Sequence, residues 1–224
     1  MTPATPRRSP AGAASLTIGS LFSGVGGLDL AVEQVFDAQV AWFSEIDPHL
    51  AGAYRRRRPD AQPLGDITGV DWTRVPKVDV LCGGFPCQDV SEAGLRAGMG
   101  PGTRSGLWRH MAQAVAAIKP SWVVIENVAG LLTATTNPDE EEDTNDGLPA
   151  APATATAAVH HPRPDEPHLA RTAERGLGLV LGDLADLGMD AAWTLLPASS
   201  VGGCHRRRRI FILAWPAIED PARH

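Results

Sequence analysis

Cys87 stands in the run Gly83-Gly84-Phe85-Pro86-Cys87-Gln88, directly after the short apolar stretch Val78 to Cys82. Gly, Pro and Gln surround it and no apolar periodicity includes it. It therefore reads as a reactive thiolate rather than a small core residue. Cys82, inside the apolar stretch, reads as core. Glu126, in Glu126-Asn127-Val128, closes the next apolar stretch, Ser121 to Ile125. If the two stretches are neighbouring strands, its carboxylate lies beside Cys87, and an apolar pocket would raise its pKa so that it can hold or donate a proton. His205-Arg206-Arg207-Arg208-Arg209 precedes the apolar strand Ile210 to Ala214. Strand alternation sends Arg207 and Arg209 to one side, where they could grip a phosphate or a base carbonyl oxygen. The other arginine run, Arg55 to Arg58, has no companion motif and reads as a solvated face.

A second constellation suits a nucleoside-bearing cofactor. Phe22-Ser23-Gly24-Val25-Gly26-Gly27 follows an expected strand and opens an expected helix. Glycines there let the backbone turn tightly and approach a ligand, although the spacing is not the G-x-G-x-x-G of dinucleotide sites. Glu45 ends the next expected strand, where a carboxylate can accept both ribose hydroxyls, and Ile46 beside it could pack on an adenine face. Asp66-Ile67 follows the third strand position and could read an adenine amino group. Each acid alone is more often a solvated loop charge; their order after successive strands ties them together.

The elements that must position these groups alternate strand and helix. The expected strands are Leu16 to Phe22, Gln39 to Ser44, Val78 to Cys82 and Ser121 to Ile125, with closing strands Asp190 to Pro197 and Arg209 to Trp215. A helix follows the glycine turn, its apolar pattern running through Leu28, Leu30, Ala31 and Val35. Others run from Pro48 to about Pro59, from Leu107 to Ile118 and from Leu169 to Leu187. Continuously apolar runs bounded by glycine suit buried parallel strands, so the expected class is α/β with a doubly wound, mostly parallel sheet. Such sheets bind ligands at the carboxyl ends of their strands. Residues 15–132 and 169–216 form one expected domain. Residues 1–14, rich in Pro, Ala and Arg, read as a disordered leader, 133–168 as a disordered acidic and Pro-Ala insertion, and 217–224 as a short tail.

Composition narrows the class further. The net charge is −6, but Asp139, Glu140, Glu141, Glu142, Asp143 and Asp146 lie in one short tract. Taking these six from 26 acids leaves 20, which balance the 20 Lys and Arg. Nucleic-acid binding is thus permitted without being argued for. No apolar stretch is long enough for a membrane span and no apolar signal region opens the chain. The three cysteines lack zinc-ligand spacing, no metal is expected, and a reduced, cytoplasmic setting follows.

In this order the motifs resemble the DNA cytosine-5 methyltransferase family. Leu21-Phe22-Ser23-Gly24-Val25-Gly26-Gly27 is similar to its cofactor loop, and Glu45 and Asp66 to its ribose and adenine acids. Gly84-Phe85-Pro86-Cys87-Gln88, with Ser91 behind it, is similar to its catalytic loop, and Thr103-Arg104-Ser105-Gly106-Leu107 to that loop's downstream hinge. Glu126-Asn127-Val128 and Arg207-x-Arg209 are similar to its Glu-Asn-Val and paired arginines. The match covers nearly all of Ser20 to Ala214 outside the insertion, with His205 where the family usually has Gln and Arg208 where it often has Glu.

The resemblance implies a Rossmann-like S-adenosylmethionine-dependent methyltransferase fold acting on double-stranded DNA with a flipped cytosine. It casts Cys87, Glu126, Arg207 and Arg209 as catalytic, and Gln88, Ser91 and Asn127 as substrate-binding. Phe22, Gly24, Gly26, Gly27, Glu45, Ile46, Asp66, Ile67 and Pro86 would hold the cofactor, S-adenosyl-L-methionine. Family members continue past the paired arginines through a target-recognition domain and a late Asn-containing motif, whereas this sequence ends at His224. The expectation is therefore a catalytic part whose recognition domain sits on a separate subunit. A minimal enzyme of low specificity, an inactive remnant and an RNA substrate stay open.

Overall fold

The computed structural model describes residues 15–86, 106–132 and 176–218. Within them run β1 (Leu16–Leu21), α1 (Gly27–Phe36), β2 (Ala38–Ser44), α2 (Pro48–Arg57), β3 (Gln62–Pro63) and β4 (Val80–Gly83). They are followed by α3 (Gly106–Ile118), β5 (Trp122–Val128), α4 (Gly176–Asp186), β6 (Met189–Pro197) and β7 (Arg208–Pro216). The strands form one seven-stranded sheet in the order β3-β2-β1-β4-β5-β7-β6. β1 to β5 are parallel, while β7 lies antiparallel to both β5 and β6. The expected class holds, with one refinement: the last two strands form a hairpin, joined through a single 3-10 turn at Ala198–Val201 rather than a helix that could carry the chain back across the sheet.

Helices pack on both faces of the sheet, as continuous apolar strands require, although one face of β5 and β7 stays only half-buried. On one face Leu21, Leu81, Val123, Ile125, Ile210 and Ile212 pack with α3 and α4 through Met111, Ile118, Leu177 and Leu184. On the other, Ile18, Val80 and Cys82 pack with Val32 of α1. Among the described residues no helix is long and apolar enough to cross a membrane.

Three sequence expectations need correction. α1 is placed as expected but only part of its expected apolar pattern packs: Leu28 lies against the core, whereas Leu30, Ala31 and Val35 are exposed and Asp29 and Val32 are buried. The stripe that packs on the sheet is Leu28, Val32 and Phe36, with Asp29 buried beside it and hydrogen-bonded to Tyr54. Glu126 and Asn127 do not follow β5 but belong to it, since pairing with β7 extends the strand through Val128 opposite Arg209. The Arg55–Arg58 run is not merely solvated: Arg58 is ion-paired with Glu33 at 2.5 Å, and Arg57 donates to Val25 O at 3.0 Å.

One position shows how tightly β1 and β2 are packed. A side chain at Gly19 would collide with the ring of Trp42, which is fully buried and fixed by its indole N–H donating to Pro76 O at 3.0 Å. The ring cannot swing aside without breaking that bond. Gly19→Ala is expected to destabilise the fold by about 1–3 kcal/mol, read as a lowered midpoint of thermal unfolding.

Candidate active site

The carboxyl ends of β1, β4 and β5 meet in register, with Leu21 beside Gly83 and Gly83 beside Ile125. Whatever leaves these strands shares one edge. Gly83 must be glycine here, because a Cβ would stand 2.7 Å from Leu21 O. From β4 the chain passes through Gly84, where a Cβ would lie 3.1 Å from the Glu126 carboxylate. Phe85 then turns into the core, 2% exposed, with its ring 5.2 Å from that of Trp108, and Pro86 emerges exposed. Cys87, Gln88, Ser91 and residues 103–105, with the leader, the insertion, the start of the expected Leu169 helix and most of the tail, lie outside the described residues.

Glu126 is the acid of this edge. Arg209 Nε lies 2.7 Å from its Oε1, and the charge of Arg207, just before β7, also acts on it. Burial nevertheless pushes the carboxyl above its ordinary range, with Arg207 pulling it back. The two arginines and the acid that sequence placed far apart therefore converge. Asn127, expected at the substrate, is instead 4% exposed and spends its amide on backbone: Nδ2 donates to Phe85 O at 2.9 Å, and Oδ1 accepts from Val128 N at 2.8 Å. It anchors the root of the loop that leads to Cys87. Asn127→Ala leaves a buried carbonyl without this donor and should cost about 1–3 kcal/mol, measured by urea unfolding.

The glycine turn lies on the adjacent strand end. Phe22 (φ 54), Gly24 (φ 53) and Gly26 (φ 79) all adopt left-handed backbone, and Phe22, not a glycine, does so with its side chain packed on the core. Nothing stands within 4 Å of where a Cβ on Gly24 or Gly27 would be, so the turn presents open backbone. Glu45 accepts from Gly24 N at 2.7 Å and from Asp47 N at 2.9 Å. Ile46 beside it is 73% exposed, an apolar side chain at the rim. Asp66 is exposed and accepts from Thr68 N at 2.9 Å. Ile67 departs from expectation: it is 4% exposed in the main core with Leu21 and Trp42, so its side chain serves packing rather than a ligand.

Sequence reasoning missed the groups beneath this turn. Asp29–Tyr54 and Arg58–Glu33 are two hydrogen-bonded pairs, joined where the Arg58 guanidinium lies 4.8 Å from the Tyr54 ring centroid, and Ser20 and Ser23 share a 2.7 Å hydroxyl contact. The available signals were an acid inside an apolar helix pattern and the single tyrosine of the chain.

Strand order, glycine turn and acids together define the Rossmann-like fold of S-adenosylmethionine-dependent methyltransferases. Spodoptera frugiperda DNMT2 shares this fold, with a TM-score of 0.56, 16% identity, and coverage of 94% of this chain and 53% of that one. S. pombe Dnmt2 methyltransferase does so with a TM-score of 0.56 at 14% identity, over 92% and 51% of the two chains. The model of the C-5 cytosine-specific DNA methylase family matches residues 16–145, more than half of the chain. The chain belongs to that family. Type II methyltransferase M.NgoBV of Neisseria gonorrhoeae is 31% identical over 86% of this chain, but the match covers 39% of that relative. The chain thus spans about two fifths of the length of the curated relative it matches.

Proposed function

We propose that this chain carries the catalytic part of a DNA (cytosine-5-)-methyltransferase, with S-adenosyl-L-methionine as methyl donor and Cys87 as nucleophile. The observation that carries the reading is the Glu126–Arg209 pair, 2.7 Å apart, beside Gly84. Three residues further along the sequence is Cys87.

The residues fit the donor. Open glycine backbone, a carboxylate at its edge and an exposed Ile46 match a sulfonium amino acid joined to ribose and adenine. Gly24, Gly26, Gly27 and Phe22 would shape the cradle, Glu45 would take the ribose hydroxyls, and Asp66 and Ile46 would take the adenine. When bound, the cofactor supplies an electrophilic methyl group. The chain's own residues do the rest. Cys87 thiolate adds to C6 of a flipped cytosine, and the electron pair moves to C5. Glu126 bonds to N3 and the exocyclic amine, holding a proton against the charge that develops on the ring, while Arg209 holds O2. Arg207 adds a second positive charge beside the acid. After C5 gains the methyl group its proton is lost to solvent, the C5–C6 double bond returns, and Cys87 leaves as thiolate.

The decisive experiment incubates the purified chain with S-adenosylmethionine and duplex DNA carrying 5-fluorocytosine. Fluorine at C5 cannot leave as the proton does, so a denaturant-stable protein–DNA complex is expected. Cofactor binding without a complex would overturn the claim that this chain alone attacks cytosine.

A second reading is favoured by the sheet. Trp122, Val124, Phe211 and Leu213 are only half-buried on the face opposite α3 and α4, while their strand neighbours on the other face are fully buried. With the match covering 39% of the curated relative, we propose that recognition sequence, on a separate subunit or further along the polypeptide, covers this face and confers site specificity, as restriction-modification would need. Complex formation restored by adding that part, and not by bulk DNA, is the expected result.

A further inference from the structure

Four side chains that neither the chemistry nor the cofactor contacts use converge beneath the glycine turn. Asp29 of α1 is 2% exposed and accepts a 2.6 Å hydrogen bond from the hydroxyl of Tyr54 on α2, which is fully buried. Burial and the Asp29 carboxylate push the Tyr54 phenol upward, so it remains a donor. Its ring stacks on Phe43 at 4.3 Å on one side and meets the Arg58 guanidinium, 4.8 Å from the ring centroid. Arg58 is held in turn by Glu33 of α1, through Nε at 2.8 Å and Nη2 at 2.5 Å.

The turn rests on this assembly. Gly26 caps α1 with φ 79, and a Cβ there would come within 2.6 Å of Arg58 Nη1 and 3.0 Å of the Tyr54 ring. Beside it, Arg57 donates to Val25 O at 3.0 Å, and Glu45 accepts from Gly24 N at 2.7 Å. Gly24 and Val25 are therefore held by hydrogen bonds, the second from α2, and Gly26 lies close against Tyr54 and Arg58. A buried carboxylate in a short helix is costly unless its bonds serve something. Here they lock α2 to α1 across the left-handed residues that free chain would rarely adopt.

We propose that Asp29, Tyr54 and Arg58 are positioning residues that preset the glycine turn in its cofactor-binding shape, an inference that rests on the reading of this turn as the S-adenosylmethionine cradle. A turn that must be ordered by its ligand spends affinity on that ordering, so loosening the assembly weakens binding rather than chemistry.

Calorimetric titration with S-adenosylmethionine tests this on four proteins: wild type, Tyr54→Phe, Arg58→Lys and Val180→Ala. Tyr54→Phe keeps the stacked ring and removes the hydroxyl; about tenfold weaker binding is expected, near the worth of one buried hydrogen bond. Arg58→Lys keeps the charge without the two-pronged grip on Glu33 and should lose about threefold, and it serves if Tyr54→Phe does not fold. Val180 is a buried core residue of α4, away from the turn, so Val180→Ala should lower the unfolding temperature and leave affinity unchanged. Wild-type affinity in Tyr54→Phe, or an equal loss in Val180→Ala, would overturn the inference. If the wild type binds no S-adenosylmethionine, the cofactor reading fails and amide exchange decides the remainder. Faster exchange at Gly24–Gly27 in Tyr54→Phe supports the positioning role, and unchanged exchange refutes it.

Discussion

Cys87→Ser is expected to abolish the covalent complex with 5-fluorocytosine DNA and to slow methyl transfer by about 10³-fold or more. Attack on C6 needs an anion, and an unassisted hydroxyl titrates far above a thiol, so serine there would need a strong base. The described neighbourhood offers none: Glu126 is engaged by Arg209 at 2.7 Å, and Asn127 is committed to Phe85 O and Val128 N. The replacement is nearly isosteric and Phe85 stays anchored through Asn127, so cofactor affinity and unfolding temperature should match the wild type. Tritium transfer from labelled S-adenosylmethionine and gel analysis of the trapped complex read the two effects together. A serine variant within about tenfold of wild-type rate would remove Cys87 as the nucleophile.

Much of this site was legible because buried parallel strands write themselves as continuous apolar runs. Val78 to Cys82 and Ser121 to Ile125 could be seen, and so the motifs after them could be assigned to one edge. The glycine turn was legible for a related reason, since left-handed backbone at Gly24 and Gly26 leaves a compositional mark. What was illegible depends on partners distant in sequence. Asp29 and Tyr54 lie 25 residues apart, and nothing local says that the acid, not Leu30, faces inward. Arg58 looked like one of four surface cations until Glu33 and the Tyr54 ring gave it a place. The resemblance of Glu126-Asn127-Val128 cast Asn127 as a substrate contact, but strand alternation puts it on the face opposite Glu126. One reaches the site edge and the other the loop root.

Glu126 is expected to impose a pH dependence that glutamine in its place removes. Burial raises its carboxyl above the ordinary value of 4.5, against the pull of Arg207. The folded state thus binds this proton more tightly than the unfolded chain does. Its stabilising share is full below the unfolded value and is lost as pH climbs through the folded one. Glu126→Gln should flatten that slope in unfolding measured between about pH 4 and 8. Catalysis adds a second test. The ring nitrogen N3 needs a donor, so the useful form of the acid is the protonated one. Cys87 needs the opposite, since thiolate rises with pH, and the rate profile should be bell-shaped, its alkaline limb set by Glu126. Glutamine can donate to N3 and accept from the amine but cannot deliver a proton. Its variant should lose about 10²-fold to 10³-fold at the wild-type optimum and show only the rising thiolate limb. Single-turnover rates across pH separate the cases. A glutamine variant with the same alkaline limb would mean that Glu126 acts as a fixed charge held by Arg209, with the proton supplied elsewhere.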